Sequence, residues 1–158
     1  PLSYMEIFVA YVLASIARGF LVGAGIYLVI LIFFDMPLQS LSWVFIFALI
    51  GNGFLGVLGV IAAIWAEKFD QLAAFQNFVI LPLTFLSGVF YTIHSLPPFW
   101  ESISRFNPFF YVIDGFRYGF FGISDVSPYF SLMIVGIGFL AVSWVTLRML
   151  KTGYKLRQ

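Results

Sequence analysis

The sequence predicts an all-α, polytopic membrane protein with four transmembrane helices, and its composition and the lengths of its apolar runs carry that prediction. Of the 158 residues, 62% are hydrophobic and only 9% are charged, whereas a soluble domain contains about 25% charged residues. The polar residues therefore could not cover a surface that faces water. The hydrophobic residues also form long runs, and about 20 apolar residues suffice for one helix to cross a bilayer.

Four apolar runs are the candidate spans. They cover residues 7–34, 41–66, 72–93 and 129–150. The turn-forming segment DMPLQS, residues 35–40, separates the first two runs, and the polar segment EKFDQ, residues 67–71, separates the second from the third. The third run contains Pro82, which predicts a kinked helix because proline removes one backbone hydrogen bond.

The basic residues predict the direction of the spans. The loop between the second and third spans contains Lys68, and the connection between the third and fourth spans, residues 94–128, contains Arg105 and Arg117. More basic residues lie at the C-terminal end: Arg148, Lys151, Lys155 and Arg157. Basic loops concentrate on the cytoplasmic side of membranes. Both chain ends, including the C-terminus, are therefore expected in the cytoplasm, and residues 94–128 are expected outside.

The connection of residues 94–128 is nearly as apolar as the spans, which is unusual for a loop in water. Irregular backbone at membrane depth is tolerated only where protein or a wet cavity satisfies its polar groups. We therefore expect one or two short re-entrant helices, which enter the outer leaflet and return. Pro97 and the pair Asn107-Pro108 mark their starts, because proline suits the first turn of a helix.

Glycines in the first two spans predict close helix packing. Gly19 and Gly23 form a GxxxG motif in the first span, and Gly53 and Gly56 lie in the second. Small residues at such spacing let helix backbones approach each other. Packing within the chain is favoured over a seam between two copies.

Arg18 is the basic residue that interrupts the first span. It lies about 24 Å from the outer end of that span at 1.5 Å per residue, which places it near the cytoplasmic interface. A long basic side chain there usually extends to water. This interpretation is favoured over a role in substrate contact or helix pairing.

Several kinds of chemistry are absent from the sequence. It has no GxxxxGKS or GxxxxGKT phosphate loop, so the chain is not expected to bind ATP in that manner. It contains no cysteine and a single histidine, His94. No catalytic constellation, metal site or cofactor is therefore expected, and the chain is not predicted to be an enzyme. A net charge of +1 without a basic, aromatic-interleaved patch gives no indication of nucleic acid binding.

Residues 78–125 carry a family resemblance. The motifs that carry it occur in this order: Leu81-Pro82, Ser87-Gly88-Val89-Phe90-Tyr91, Leu96-Pro97, Asn107-Pro108 and Asp114-Gly115-Phe116-Arg117. This succession resembles the signature region of ABC-2 type permeases, the membrane subunits of ATP-binding-cassette exporters. Thr92 departs from the pattern, because many relatives have proline there.

The resemblance implies six membrane helices, of which this chain would hold the last four. Residues 1–158 would then be the C-terminal part of an ABC-2 type transmembrane domain, with the first two helices and the coupling helix expected before Pro1. It also implies a multi-pass protein of the inner (plasma) membrane that works as a homodimer in the lipid bilayer. A separate cytosolic ABC ATPase subunit would bind ATP and drive export by alternating access.

Asp114 and Arg117 stand three residues apart in an aromatic stretch, so they can pair on one face of a helix. Because stranding one buried charge costs roughly 3–5 kcal/mol, we predict that each requires the other. In an exporter the pair would hold a re-entrant helix over the exit path, as an outer gate. The alternative is an interfacial pair that faces lipid headgroups.

Two other functions stay open at the level of sequence. A membrane assembly or scaffold protein that does not transport would have the same composition. An ion-coupled secondary transporter would be expected to place ionisable residues at the middle of the membrane, and the spans here have almost none apart from Arg18.

Overall fold

The computed structural model describes residues 3–153. In chain order its elements are α1 (Tyr4–Phe33), α2 (Leu41–Trp65), α3 (Phe69–Phe75), a π-helical turn (Gln76–Ile80), α4 (Leu81–Phe85), a 3-10 helix (Ile93–Ser95), α5 (Pro98–Arg105), α6 (Pro108–Phe121) and α7 (Pro128–Thr152). This part of the chain contains no β-strand, so the predicted all-helical class is confirmed. Three of these helices, α1, α2 and α7, are long and apolar enough to cross a membrane.

The third predicted span, residues 72–93, does not form one long regular helix. α3, the π-helical turn and α4 follow one another without a break and end at Phe85. Pro82 has no N–H to donate. Just before it, the Leu81 N–H donates to the carbonyl of Gln76, five residues back, instead of to the carbonyl four residues back. This wider hydrogen-bond pattern is that of a π-helix. The irregularity beside the proline is therefore a π-helical turn.

The ends of the long helices are formed by residues suited to them. At the start of α1, the Ser3 hydroxyl accepts the Glu6 N–H at 3.2 Å, and the Glu6 carboxylate accepts the Ser3 N–H at 2.7 Å. This reciprocal pair is a capping box. α7 begins with Pro128 in its first turn and ends at Gly153, whose φ of 66° is left-handed.

α2 is the centre of the bundle and packs against α1, α6 and α7. The fully buried ring of Phe47 on α2 lies directly against Gly115 of α6. In the other direction, Val112 of α6 packs against Gly51 of α2. Large and small side chains thus alternate between the two helices, which lets their backbones approach closely.

Three of the four glycines predicted to mediate close packing lie at contacts between helices. Gly19 of α1 lies against the side chain of Asn52, Gly56 of α2 lies against Ser15, and Gly53 faces side chains of α1 and α7. The contact between α1 and α2 also contains a polar link, because the Ser15 hydroxyl donates to the Asn52 carbonyl at 3.1 Å.

Gly23 does not take part in such packing within residues 3–153, where no atom lies within 4 Å of the place that a Cβ would occupy. In this part of α1, aromatic rings make the contacts with α2 and α6 instead. The rings of Phe20 and Phe45 lie 5.0 Å apart, and those of Tyr27 and Phe120 lie 5.6 Å apart. Side chains of this size keep the helix axes apart, so the glycine stays uncovered.

The bundle has two ends, named here after α2: the Ser40 end, where α1 ends and α2 and α7 begin, and the Trp65 end. Asn52, which contacts α1, lies near the middle of α2, so Arg18 lies about halfway along both helices. The part of α1 before Arg18 packs against α2 through Val57. Residues on both sides of Arg18 thus pack against α2, and its location near the cytoplasmic interface stays a prediction.

Candidate functional site

α5 and α6 form a helical hairpin, and each begins at a predicted start. α5 begins directly after Pro97, and α6 begins at Pro108 with Asn107 as its cap. The side-chain oxygen of Asn107 accepts the Phe109 N–H at 3.0 Å, and its NH2 group donates to the Leu83 carbonyl at 2.6 Å. The turn of the hairpin is therefore tied to α4.

α6 starts beside the middle of α2 and runs toward the Ser40 end. Near its start, the ring of Phe109 lies 6.0 Å from that of Phe54, a residue about 20 Å along α2 from its first residue at 1.5 Å per residue. Near its end, the carbonyl of Gly119 accepts the Ser40 N–H at 2.8 Å. α6 thus follows only the half of α2 that leads to the Ser40 end.

Asp114 is fully buried on α6 and holds the backbone that precedes α7. One carboxylate oxygen accepts the Asp125 N–H at 2.7 Å, and the other accepts the Val126 N–H at 3.1 Å. Hydrogen bonds from backbone N–H groups to a carboxylate are among the stronger kinds in proteins. The buried charge is therefore stabilised chiefly by the turn between α6 and α7.

Arg117 joins two segments that are distant in sequence. Its Nη1 donates to the Asp125 carboxylate at 3.3 Å, and its Nη2 donates to the Gly88 carbonyl at 2.5 Å. The same oxygen of Asp125 also accepts the Ile93 N–H at 3.1 Å. Gly88 has a φ of 75°, which only glycine adopts readily. The connection that follows α4 is thereby fixed to both α6 and the start of α7.

The predicted pair of Asp114 and Arg117 is present, but the distance between the two side chains is longer than that between Arg117 and Asp125. Arg117 Nη1 lies 3.8 Å from Asp114 and 3.3 Å from Asp125. Sequence reasoning missed Asp125, because a spacing of eight residues across a turn matches no helical face. The available signal was that Asp125 ends the same apolar stretch and is an isolated charge.

The network, defined as Asp114, Arg117 and Asp125, combines two carboxylates with one guanidinium group. Asp114 is fully buried, and the side chains of Arg117 and Asp125 are 20% and 8% exposed. Hydrogen bonds to charged groups each contribute about 1.5–3 kcal/mol, and a stranded buried charge costs more than its bond contributed. The arrangement can hold α6, the connection after α4 and the start of α7 in one geometry.

α5 and the preceding 3-10 helix carry a second group of ionisable side chains, which is more exposed than the first. Arg105 Nη2 lies 2.8 Å from the Glu101 carboxylate, and His94 Nδ1 lies 3.6 Å from it. The hydrogen bond from Arg105 lowers the pKa of Glu101 below its usual value. The Arg105 carbonyl accepts the Tyr111 hydroxyl at 2.7 Å, which fastens α5 to α6. Because the charges are exposed, this group contributes little to stability.

No group of three or more histidine, cysteine, aspartate or glutamate side chains that could hold a metal ion occurs within residues 3–153.

Comparison with known proteins relates the chain to membrane transport proteins. A family model described as "ABC-2 type transporter" matches residues 1–121. The inner membrane transport permease YadH of Escherichia coli (strain K12) is 38% identical over 149 residues, which are 91% of this chain and 57% of that protein. The chain therefore spans little more than half the length of this relative.

More distant similarities extend to two further proteins. The capsule polysaccharide export inner-membrane protein BexB of Haemophilus influenzae is 33% identical over 119 residues, 73% of this chain and 40% of that protein. Nodulation protein J of Rhizobium leguminosarum bv. trifolii is 33% identical over 72 residues, 46% of this chain and 27% of that protein. No solved structure matches the chain.

Proposed function

The chain belongs to the ABC-2 type transporter family, and on that premise we propose that it forms part of the transmembrane subunit of an exporter that moves its substrate outward by alternating access. A separate cytosolic ATPase subunit would bind and hydrolyse ATP, since the sequence contains no phosphate loop. The names of two relatives, which refer to transport and to capsule polysaccharide export, support a transport role.

In this proposal the Ser40 end faces outside and the Trp65 end faces the cytoplasm. The positions of Lys68, Arg148 and Lys151 at or near the Trp65 end support this orientation. The helical segment from α3 to α4 would be a fourth, shorter spanning element. α5 and α6 would form a re-entrant hairpin, which the start of α6 beside the middle of α2 supports.

The observation that carries an outer gate is the buried network of Asp114, Arg117 and Asp125. It fixes the hairpin to α7 and to the connection after α4 through charged hydrogen bonds. A gate must stay in one arrangement until ATP binding drives it into another. Packed helices can do so, because they switch between discrete arrangements. The proposed homodimer would bring two such hairpins together around the exit path.

Spin labels on the hairpin test this function. The full-length permease carries Ser102→Cys on α5, without other cysteines, and is reconstituted with its ATPase subunits. We expect a complex of two permeases and two ATPases by mass, with one label per permease. ATP with vanadate should change the distance between the two labels, and ADP should not.

The scaffold alternative makes the opposite prediction. If the complex assembles and hydrolyses ATP but the distance between the labels is the same with ADP and with ATP plus vanadate, the hairpin is not a gate driven by ATP. If no complex with an ATPase forms, the chain is not a subunit of such an exporter.

A further inference from the structure

Arg18 is an isolated charge about halfway along α1, on the exposed side of that helix. The other charged residue of α1 is Glu6 in its first turn, and α2 carries none. Among residues 3–153, no carboxylate lies within ion-pair distance of Arg18. A charged residue at the middle of a bilayer is costly unless it is paired or faces water. An arginine at this position therefore requires an anionic partner or access to water.

Arg18 lies far from both ends of α1. It lies about 21 Å along α1 from Tyr4 and about 22 Å from Phe33 at 1.5 Å per residue. An arginine near a helix end can extend to the interface, but the residue after Arg18, Gly19, lies against Asn52 at the middle of α2.

Arg18 lines a cleft of about 580 Å³ between α1, α2 and the last turns of α7. This volume lies within the range of about 300–1,000 Å³ that small-molecule sites occupy. Gly59 of α2 leaves room for it, because a Cβ there would meet no atom within 4 Å outside the backbone of its own helix. The cleft continues past Tyr11 to Leu150, close to the Trp65 end. Its walls are apolar apart from a few polar groups near Arg18.

We propose that this cleft binds the anionic group of an amphiphile, a phosphate or a carboxylate, with Arg18 as its charge partner. A guanidinium group binds either anion through two parallel N–H donors. The apolar walls accommodate the hydrocarbon part of the amphiphile. Arg18 and the apolar lining therefore both favour an anionic amphiphile. The inference deepens the proposed export function and rests on it, because it names a substrate class.

Binding is measured without ATP, so that it succeeds or fails independently of transport. The full-length permease and its ATPase are placed in nanodiscs of phosphatidylcholine and titrated with dodecyl phosphate and with uncharged dodecyl maltoside. We expect dodecyl phosphate to bind at least tenfold more tightly. Arg18→Gln should remove that preference, and Arg18→Lys should retain part of it.

A second variant tests the cleft without altering the charge. Gly59→Leu fills the open space and should weaken dodecyl phosphate binding by tenfold or more. Gly136→Leu is the matched control, because its surroundings are equally open but it does not line the cleft, and it should bind like the unmodified protein. Equal binding of the two dodecyl compounds, or unchanged binding by both Arg18→Gln and Gly59→Leu, overturns the proposal.

Two further measurements identify what fills the cleft. A photoreactive benzoylphenylalanine at Leu55, which lines it, should capture dodecyl phosphate. Capture of another protein segment or of a second copy instead shows that the cleft is covered by protein and overturns the proposal. Nanodiscs of phosphatidylglycerol separate two sources of the anion: competition with dodecyl phosphate indicates a membrane phospholipid, and no competition indicates a different, transported anion.

Discussion

Arg117 holds two backbone segments with the two arms of one guanidinium group, and the planarity of that group matters. One arm donates to the Asp125 carboxylate and the other to the Gly88 carbonyl. Lysine has the same charge but presents it from a single nitrogen, so it cannot satisfy two acceptors in these directions. The requirement at this residue is therefore geometric as well as electrostatic.

Arg117→Lys is expected to lower the free energy of unfolding of the full-length protein by about 1.5–3 kcal/mol, the contribution of one hydrogen bond to a charged group. Thermal unfolding in detergent measures this loss. Arg105→Lys is the matched control, since Arg105 is exposed and its pair contributes about 0–1 kcal/mol. Equal effects of the two substitutions would contradict a special role for the network.

Reversing the charges of Asp114 and Arg117 is not expected to restore stability. A guanidinium group at position 114 would face the N–H donors of Asp125 and Val126, and a carboxylate at position 117 would face the Asp125 carboxylate. The double variant Asp114→Arg/Arg117→Asp should therefore unfold at or below the temperature of the less stable single variant. Recovery above both single variants would show that the salt bridge outweighs the backbone hydrogen bonds.

The residues of the network differ in how far the sequence could predict them. Pro108 marks the start of α6 by a local preference, and Asp114 and Arg117 are conspicuous because charges are rare in an apolar stretch. The role of Asp125 depends on the path of the turn after Gly122, which brings residue 125 back beside α6. No helical or strand spacing encodes that path.

At the scale of elements, α6 depends on glycine for its fit against α2. Gly119 lies so close to Val44 that a Cβ would stand 2.7 Å from the Val44 backbone nitrogen. A side-chain neighbour could rotate away, but a backbone nitrogen inside a helix cannot. The end of α6 is fixed there as well, because Ser40 donates to the Gly119 carbonyl.

Gly119→Ala should therefore displace α6 and destabilise the full-length protein by about 1–3 kcal/mol, the usual cost of overpacking. Gly136→Ala, on α7 with open surroundings, should leave stability unchanged or raise it slightly, because alanine favours helix. Thermal unfolding of the two variants in parallel provides the comparison. A Gly119→Ala protein as stable as the Gly136→Ala protein would show that α2 and α6 separate easily.

The third apolar run shows that hydropathy alone does not predict helical continuity. Residues 72–93 are apolar enough for a span, yet the helix ends at Phe85 and the chain turns at Gly88. Of the hydrophobic residues after Phe85, Ile93 is fully buried against α6 and α7, whereas Val89 and Phe90 are exposed. A run of hydrophobic residues therefore does not distinguish a continuous helix from one that ends early.

At the scale of the whole molecule, the proposed orientation can be read with single cysteines. In intact cells, Asp35→Cys at the Ser40 end should react with a membrane-impermeant thiol reagent added outside. Lys68→Cys and Thr152→Cys, both at the Trp65 end, should react only after the membrane is opened. All three positions are exposed. Labelling of Thr152→Cys in intact cells would reverse the orientation.

The bonds of Asp114 also bear on the order in which the chain is built into the membrane. Its two N–H partners belong to residues 125 and 126, which a ribosome adds after it. Until they arrive, the carboxylate has no donors from that turn, and an ion without partners is expelled from an apolar interior. α6 can therefore settle only once the turn has been synthesised, so we expect the hairpin and α7 to enter the bilayer as one unit, after α1 and α2.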